Sequence, residues 1–516
     1  TRIGLLSQLV QTTPDEATPL QFQLKRFGKV LSVLVLGMAI VLYVLGRLLG
    51  YDAEEMLKVS VALVVAAIPE GLLVALTVVL AIGMQRMHKR KALIRRLVAA
   101  ETLGSVSVVC TDKTGTLTEG RMSVARAVTP KHDVVMDERI PDDVYDMFVA
   151  LALNNDASVT EGKTVGHPTE VALLEGALKV GLNVEEKRDQ FPRRAEIPFR
   201  SASKYMATLH TGASKTRLIV KGAPEAVFAL CKHTNGLEAA ADALAQDGLR
   251  VLAVAVKDEA KEVNEDGLTC LGIVGISDPI REHATESLRR LRHAGVRVVM
   301  ITGDHPSTVT SVARHVGIPV SAKRLLIGRD LDELTDEGLR TRVRDIDIYA
   351  RVEPQHKVRI VNALRAEGDV VAMIGDGVND AAALKAADIG VAVGSATDVT
   401  RETSDMVLLD NDLSTIAAAV QEGRVLFDNM RKVIVYLLSD SFSELVLVAG
   451  AVLLGIPIPI TAAQILWINI VSDGFPLMAL TQEPGERDVM RQKPRPKSEP
   501  VLNKDMKLMI FLVGMI

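Results

Sequence analysis

Residues 106–118 read Val106-Ser107-Val108-Val109-Cys110-Thr111-Asp112-Lys113-Thr114-Gly115-Thr116-Leu117-Thr118. The first part has strand character, being rich in β-branched apolar residues. It ends on an acid, Asp112, and a loop containing Gly115. An acid at the carboxyl end of a strand, followed by such a loop, suits the crevice of a parallel α/β sheet. Three more strand-then-polar units lie far downstream. Residues 296–301 lead into Thr302-Gly303-Asp304. Ala350-Arg351-Val352-Glu353-Pro354 precedes Lys357. Residues 370–374 lead into Gly375-Asp376-Gly377-Val378-Asn379-Asp380. Strands alternating with helical stretches predict a doubly wound sheet. The long gap after the first unit implies an inserted domain. The expected division is one α/β domain from residues 87–121 and 276–430, interrupted by an insert over 122–275.

Outside this region the composition changes. The chain has 516 residues, 48% hydrophobic and 24% charged, with a mean hydropathy of +0.22. That length suggests about three or four domains. Ordinary charge with raised hydropathy means that apolar residues are concentrated somewhere. They lie in residues 30–46, 59–84, 433–456 and 462–481, whose only charges are Glu70, Asp440, Glu444 and Asp473. Each run is near the ~20 residues that span a bilayer, which predicts two membrane hairpins, within 1–86 and 431–481. A shorter run at 508–516 follows a polar loop and reads as the start of another span, in a segment 482–516. Arg86, Lys89, Arg90, Lys91, Arg95 and Arg96 follow the second run, and Arg487, Arg491, Lys493, Arg495 and Lys497 the fourth. Both flanks should be cytoplasmic. The expected protein is integral and multi-pass, without a signal peptide, because the first apolar run begins only at Val30. A formal charge of −4 excludes a nucleic-acid binder that relies on global basic charge. Three distant cysteines, Cys110, Cys231 and Cys270, give neither a disulfide framework nor zinc spacing.

Carboxylates at bilayer depth cost at least ~2.5 kcal/mol on insertion scales and are functional candidates by default. Glu70 stands between Pro69 and Gly71. Pro69 has no N–H and clashes with the carbonyl of Val65. Carbonyls near Val65, Ala66 and Ile68, with the Glu70 carboxylate, make an oxygen-only cluster suited to a hard cation. Asp440, Ser441 and Glu444 share a helical face by their spacing, as do Asn469, Ser472 and Asp473. The absence of Cys and His from these stripes argues against copper or zinc.

Asp112-Lys113-Thr114-Gly115-Thr116-Leu117-Thr118 together with Gly375-Asp376-Gly377-Val378-Asn379-Asp380 resembles the P-type ATPases, cation pumps built on the haloacid dehalogenase fold. The likeness covers essentially the whole chain. Residues 68–72 (Ile-Pro-Glu-Gly-Leu), 221–225 (Lys-Gly-Ala-Pro-Glu) and 467–474 (Trp-Ile-Asn-Ile-Val-Ser-Asp-Gly) fall in the family's order, and the sarcoplasmic-reticulum-type calcium pumps are the nearest subgroup. The resemblance implies membrane α-helical hairpins plus a cytoplasmic α/β haloacid-dehalogenase-like phosphorylation domain, with an inserted α+β nucleotide-binding domain. It makes Asp112 the nucleophile toward the γ-phosphoryl group of ATP. Asp112, the Thr114 carbonyl and Asp376 would hold Mg²⁺, with Asp380 supporting them. Thr302 and Lys357 would stabilise phosphoryl charge and Asn379 orient it. Gly303, Asp304 and Arg351 fall among nucleotide or Mg²⁺ contacts. In the insert, Phe199 would stack on adenine beside Lys204 and Lys221, with Thr169, Glu170 and Arg250 as further nucleotide contacts. Ser201 replaces a common arginine and His167 a common acid, so adenine affinity should differ. No Gly-x-x-x-x-Gly-Lys loop is present, which disfavours a P-loop pump.

The likeness maps Val65, Ala66, Ile68, Glu70, Asn469 and Asp473 onto one complete calcium site. Glu444 and Ser472 fall on a second, altered site, where Ser441 replaces an Asn and Asp440 is an added acid. Ca²⁺ is the expected cargo, with Mn²⁺ or Na⁺ as alternatives, and one ion exchanged for protons is the expectation from the altered site. The expected partners are ATP, Mg²⁺, the cation and membrane lipid, the inner membrane if the source is bacterial, with no obligate protein partner. The family's Thr-Gly-Glu is absent, and Thr1-Arg2-Ile3-Gly4 resembles the sequence just after it. The expectation is therefore a chain cut at both ends, lacking the actuator domain and several helices, that cannot complete transport alone. A membrane-tethered phosphatase and a non-catalytic channel or scaffold are competing readings. The aligned intramembrane acids oppose the first, and the Asp112, Lys357 and Asp376 set opposes the second.

Overall fold

The computed structural model describes every residue except 1–18, 67–70, 137–139, 161, 213–214, 261, 264–265, 458 and 498. The stretch quoted first forms the middle of an eight-stranded sheet. Its strands are β1 (Ala92–Ile94), β2 (Val108–Thr111), β3 (Arg297–Ile301), β4 (Leu325–Ile327), β5 (Ile348–Ala350), β6 (Val371–Gly375), β7 (Ile389–Val393) and β8 (Met406–Leu408). Their order is β1-β8-β7-β6-β2-β3-β5-β4. All pairings are parallel except that of β1 with β8. Every residue of β2, β6 and β7 is buried, as a parallel sheet covered on both faces requires. The chain moves to one side of β2 with β3 and to the other with β6, so β2 flanks the topological switch point where such folds bind ligands. Thr111 is in register with Met300 of β3 and Ile374 of β6. Asp112, Thr302 and Asp376 therefore leave the sheet at one edge.

The insert is a separate, mostly antiparallel sheet, with Cys231–His233 joined in parallel to Leu268–Ser277. Ser123–Val128 leaves the first domain and Leu268–Ser277 returns to it, and the two pair with Val124 opposite Ile276. Both linkers thus run side by side, joined again by the bridge between Thr118 and Ile280. Arg250–Asp258, Thr216–Gly222, Tyr205–Thr211 and Arg193–Ile197 extend the sheet in that order. Helices Asp142–Leu153 and Pro168–Lys179 contribute Phe148, Leu151, Leu173 and Leu174 to a core on one face.

Of the four expected spans, two helical segments are long and apolar enough among the described residues: Ser414–Leu454 and Ala463–Thr481. The first expected span lies within helix Pro19–Leu48, of which Val35–Leu48 is apolar among the described residues. The second appears as helices Ala53–Ala66 and Gly71–Lys89 on either side of residues 67–70. These helices share a small core of Leu42, Met56, Leu63, Val448 and Ile465. They leave large apolar side chains outward: Leu48 is 78% exposed, Leu454 76% and Phe475 79%. Such outward faces match an apolar surrounding.

Ser414–Leu454 is one unbroken helix of 41 residues. It carries the parallel-sheet domain directly into the apolar bundle. A Cβ on Gly104, at the end of helix Leu97–Leu103, would stand 2.6 Å from the Gly423 backbone. The two helices cross backbone to backbone, which only glycine allows here.

Candidate active site

Asp112 follows the fully buried β2 in extended backbone (φ −69°, ψ 159°), and its carboxylate accepts the Lys113 N–H at 2.6 Å. The loop turns back at Gly115, whose φ is +70°. A Cβ there would lie 2.0 Å from Asp376 Oδ2. Glycine is thus fixed both by backbone conformation and by the approach of a second carboxylate. Lys357, in helix Pro354–Ala366, is buried and donates to Asp112 Oδ2 at 2.5 Å and Asp380 Oδ1 at 2.6 Å. Burial disfavours its ammonium, but Asp112 and Asp380 overcome that and hold its pKa above the usual lysine range. Asp376 is pushed up to about 6, first by burial and then by the negative charges of Asp380 and Asp112. Asp380 is also raised, chiefly by burial.

Three carboxylates therefore face one ammonium. Hard oxygen donors in excess of local positive charge are the chemistry that suits Mg²⁺. Asp112, Asp376 and the Thr114 carbonyl would hold such an ion, which would supply charge neutralisation for phosphoryl oxygens. Protonation of Asp376 competes with that role. Mg²⁺ affinity is expected to fall by close to tenfold per pH unit below about pH 6, measurable by calorimetry at pH 7.5, 6.0 and 5.0. The same raised pKa has a stability sign. Between the unfolded value of 3.8 and about 6 the native state binds more protons, so metal-free stability falls as pH rises through that window.

Thr302, just past β3, is buried, donates its N–H to Tyr349 O at 2.9 Å and accepts the Asp304 N–H on Oγ1 at 3.3 Å. Gly303 lies between them. Asp304 pairs with the buried Lys113, a contact the sequence reading did not anticipate. Arg351 has φ +49° and donates its N–H to Asp304 O at 3.0 Å. Asn379 is exposed in the turn Val378–Asp380.

Two residues missed from sequence hold the loop. Arg281 donates to the carbonyls of Thr116 at 3.1 Å and Gly115 at 2.8 Å. Asp278 accepts from Thr118 Oγ1 at 2.6 Å and the Gly120 N–H at 2.8 Å. Both lie where the second linker rejoins the sheet domain, so the insert's hinge and the Asp112 loop share hydrogen bonds. Asp278-Pro279 after a strand was the available signal, but a single acid before proline does not announce its partners.

In the insert, the expected nucleotide residues meet in pairs. Lys221 is buried and donates to both Glu170 carboxylate oxygens at 2.8 Å and to the Asn154 carbonyl at 2.5 Å. Burial lowers its pKa against the opposing pull of Glu170. Lys221 and Glu170, both expected nucleotide contacts, thus form one ion pair. Arg250 donates to Thr169 Oγ1 at 3.0 Å. Lys204, with φ +61°, pairs with Glu225 at 2.9 Å. Phe199 is 60% exposed on the same connection between strands. It stabilises no core, so Phe199→Ala should leave the melting temperature unchanged and weaken ATP binding about tenfold by calorimetry, the scale of one lost base-stacking contact.

Among the expected cation ligands, Ile68 and Glu70 lie outside the described residues. Val65 and Ala66 fall at the end of helix Ala53–Ala66. Glu444, Asn469, Asp473 and Ser441 are buried. Residues Ile468–Ser472 form a wider turn in which the Asp473 N–H reaches Ile468 O at 3.1 Å. Such π-turns cluster at functional sites. Ser472 lies in it. Tyr436 donates to Asp473 Oδ1 at 3.1 Å. Asp440, the added acid, has its Oδ2 buried without a hydrogen-bond partner among the described residues, an arrangement a cation beside it would stabilise.

The parallel sheet with an acid-bearing loop at its switch point, and Lys357 bridging two of the acids, defines a haloacid-dehalogenase-like domain. Family models match residues 143–283 (P-type ATPase, cytoplasmic domain N), 358–420 (haloacid dehalogenase-like hydrolase) and 457–516 (cation transporting ATPase, C-terminus). The chain is 38% identical to calcium-transporting ATPase 1 of Bacillus cereus, over 99% of this chain and 60% of that one. It is 37% identical to the calcium-transporting ATPase of Bacillus subtilis, over 100% and 63%, and 39% identical to the probable cation-transporting ATPase F of Mycobacterium tuberculosis, over 97% and 61%. The chain belongs to the P-type ATPase family. It spans about 60% of the length of these relatives.

Proposed function

We propose that the chain is the phosphorylation, nucleotide-binding and partial membrane portion of an ATP-driven pump that exports Ca²⁺ through an aspartyl phosphate at Asp112. The observation that carries this is Lys357 bridging Asp112 and Asp380 beside Asp376. An oxygen nucleophile, an ammonium and a hard-metal donor set at one sheet edge suit in-line phosphoryl transfer. Asp112 attacks the γ-phosphorus, ADP departs, and Lys357 and Thr302 stabilise charge on the transferred oxygens. Phe199, Lys204, Glu170 and Arg250 present the nucleotide from the insert. Burial of Glu444, Asn469 and Asp473 between outward-apolar helices supports a cation path within a membrane. Oxygen-only donors favour Ca²⁺, and the printed names of the Bacillus relatives agree.

The test is phosphoenzyme formation from labelled ATP, with the natively occurring protein in lipid vesicles, across Ca²⁺, Mn²⁺, Na⁺ and K⁺. The expected result is an acid-stable, hydroxylamine-labile label stimulated most by Ca²⁺. A label indifferent to all four ions would remove the transport reading and leave the phosphatase alternative. Preferential stimulation by Mn²⁺ or Na⁺ would reassign the cargo.

A further inference from the structure

A second polar cleft lies far in sequence from Asp112, where the long helix Ser414–Leu454 meets the loop that follows the fourth segment. It encloses about 170 Å³ and is lined by Arg424, Asp428, Arg431, Lys493, Arg495 and Glu499. Four cations thus face two carboxylates. Each carboxylate already has a partner: Arg431 meets Glu499 at 2.6 Å and Arg495 meets Asp428 at 3.4 Å. Arg424 is buried, and its terminal nitrogens donate to the carbonyls of Val489 at 2.9 Å, Gln492 at 2.8 Å and Ala294 at 2.8 Å, so no acid among the described residues neutralises it by contact. Its Nε is buried without a hydrogen-bond partner among the described residues. The like charges crowd one another. Arg431 and Arg495 lie over the same Phe427 ring, at 4.8 and 3.6 Å from its centre. Arg495 has its pKa lowered to about 10, first by burial and, against the pull of Asp428, by neighbouring guanidiniums.

We propose that this cleft binds a phosphate group, with Arg424, Arg431, Lys493 and Arg495 as its donors. A dianion would balance the two cations in excess, and guanidinium forks match tetrahedral oxyanions in geometry. The volume suits the ligand: liquid water takes about 30 Å³ per molecule, so the cleft has room for several waters or one oxyanion. Two sources share this chemistry. Along a helix rising ~1.5 Å per residue, Arg431 stands about 3 Å and Arg424 about 14 Å above Val433, where the apolar run begins. The polar layer of a bilayer leaflet is ~5–7 Å deep. The cleft therefore reaches from headgroup level into the cytoplasm, open to an anionic lipid headgroup from one side or a free phosphate from the other. A bound phosphate would tie the 485–500 loop to the helix that carries the sheet domain, beside the Gly104–Gly423 crossing.

The test uses Asp112→Asn protein without Mg²⁺ or nucleotide, so that the site at Asp112 does not contribute. Thermal melting is followed in detergent with inorganic phosphate against sodium chloride of equal ionic strength, and in nanodiscs of phosphatidylcholine with or without phosphatidylglycerol. Either phosphate or phosphatidylglycerol should give a saturable rise of about 2–4 °C, lost in Lys493→Gln and in Arg495→Gln. Lys493 is exposed, so that variant folds whatever the outcome at Arg495. A rise with phosphate alone identifies a free oxyanion site, and one with the lipid alone a headgroup site. No rise in either arm, an equal rise with chloride, or a rise that persists in Lys493→Gln overturns the proposal. Phosphoenzyme formation by the unsubstituted protein is scored separately and does not depend on this result.

Discussion

Asp112→Asn is expected to lose the acid-stable phosphoenzyme by at least ~10⁴-fold, the scale seen when a nucleophile is removed from an enzyme acting through a covalent intermediate. The substitution keeps the shape of the side chain. It removes the negative oxygen that would form the bond to phosphorus. It also removes one of three carboxylates crowded around Lys357. ATP affinity should therefore hold or rise, since the γ-phosphate no longer meets the Asp112 charge. Melting temperature should change little, because Lys357 keeps its contact with Asp380. Retention of the label by the variant would show that another residue accepts the phosphoryl group. Loss of both label and ATP binding would point to a collapsed site.

Legibility of this chain in its sequence follows chain distance. Asp112, Thr302 and Asp376 were readable because each stands just past a strand end near a glycine, and Lys357 because it follows Pro354 in the first turn of the next helix; a parallel sheet gathers such ends at one edge. The edge strands β1 and β8 have three residues each, too few to show a period, and the antiparallel edge was not foreseen. The pairing of Lys221 with Glu170 was not legible, because nothing local announces a partner 51 residues earlier. Hydropathy located the apolar part of Ser414–Leu454 and missed that the helix starts 19 residues before it, since a polar buried helix and a polar loop have similar averages. The π-turn at Ile468–Ser472 was equally silent: spacings of three and four assume a regular helix, which that segment is not.

Lys357→Met should be the most disruptive single change to the metal-free protein. Lysine at this position holds Asp112 and Asp380 with contacts of 2.5 and 2.6 Å while almost fully buried. Removing one partner of a buried ion pair typically costs about 3–5 kcal/mol, because the remaining charges lose their compensation. With Lys357 gone, the acids at this edge would take up a proton, so the stability deficit should shrink as pH falls toward 5 and widen toward 8. The phosphorylation rate should drop ~10²–10³-fold at any pH, since the ammonium would also stabilise charge on the transferred oxygens. The double variant Lys357→Met/Asp380→Asn separates the two roles. Neutralising Asp380 should restore much of the lost stability, measured by urea unfolding without Mg²⁺, yet leave phosphorylation as slow as in the single variant. Coupling between the two positions should exceed about 1 kcal/mol, as for other residues in one salt-bridge network. Full activity in the single variant would place the phosphoryl group away from Lys357 and with it the whole reading of this edge. Recovery of activity together with stability in the double variant would make Lys357 a structural counter-ion alone.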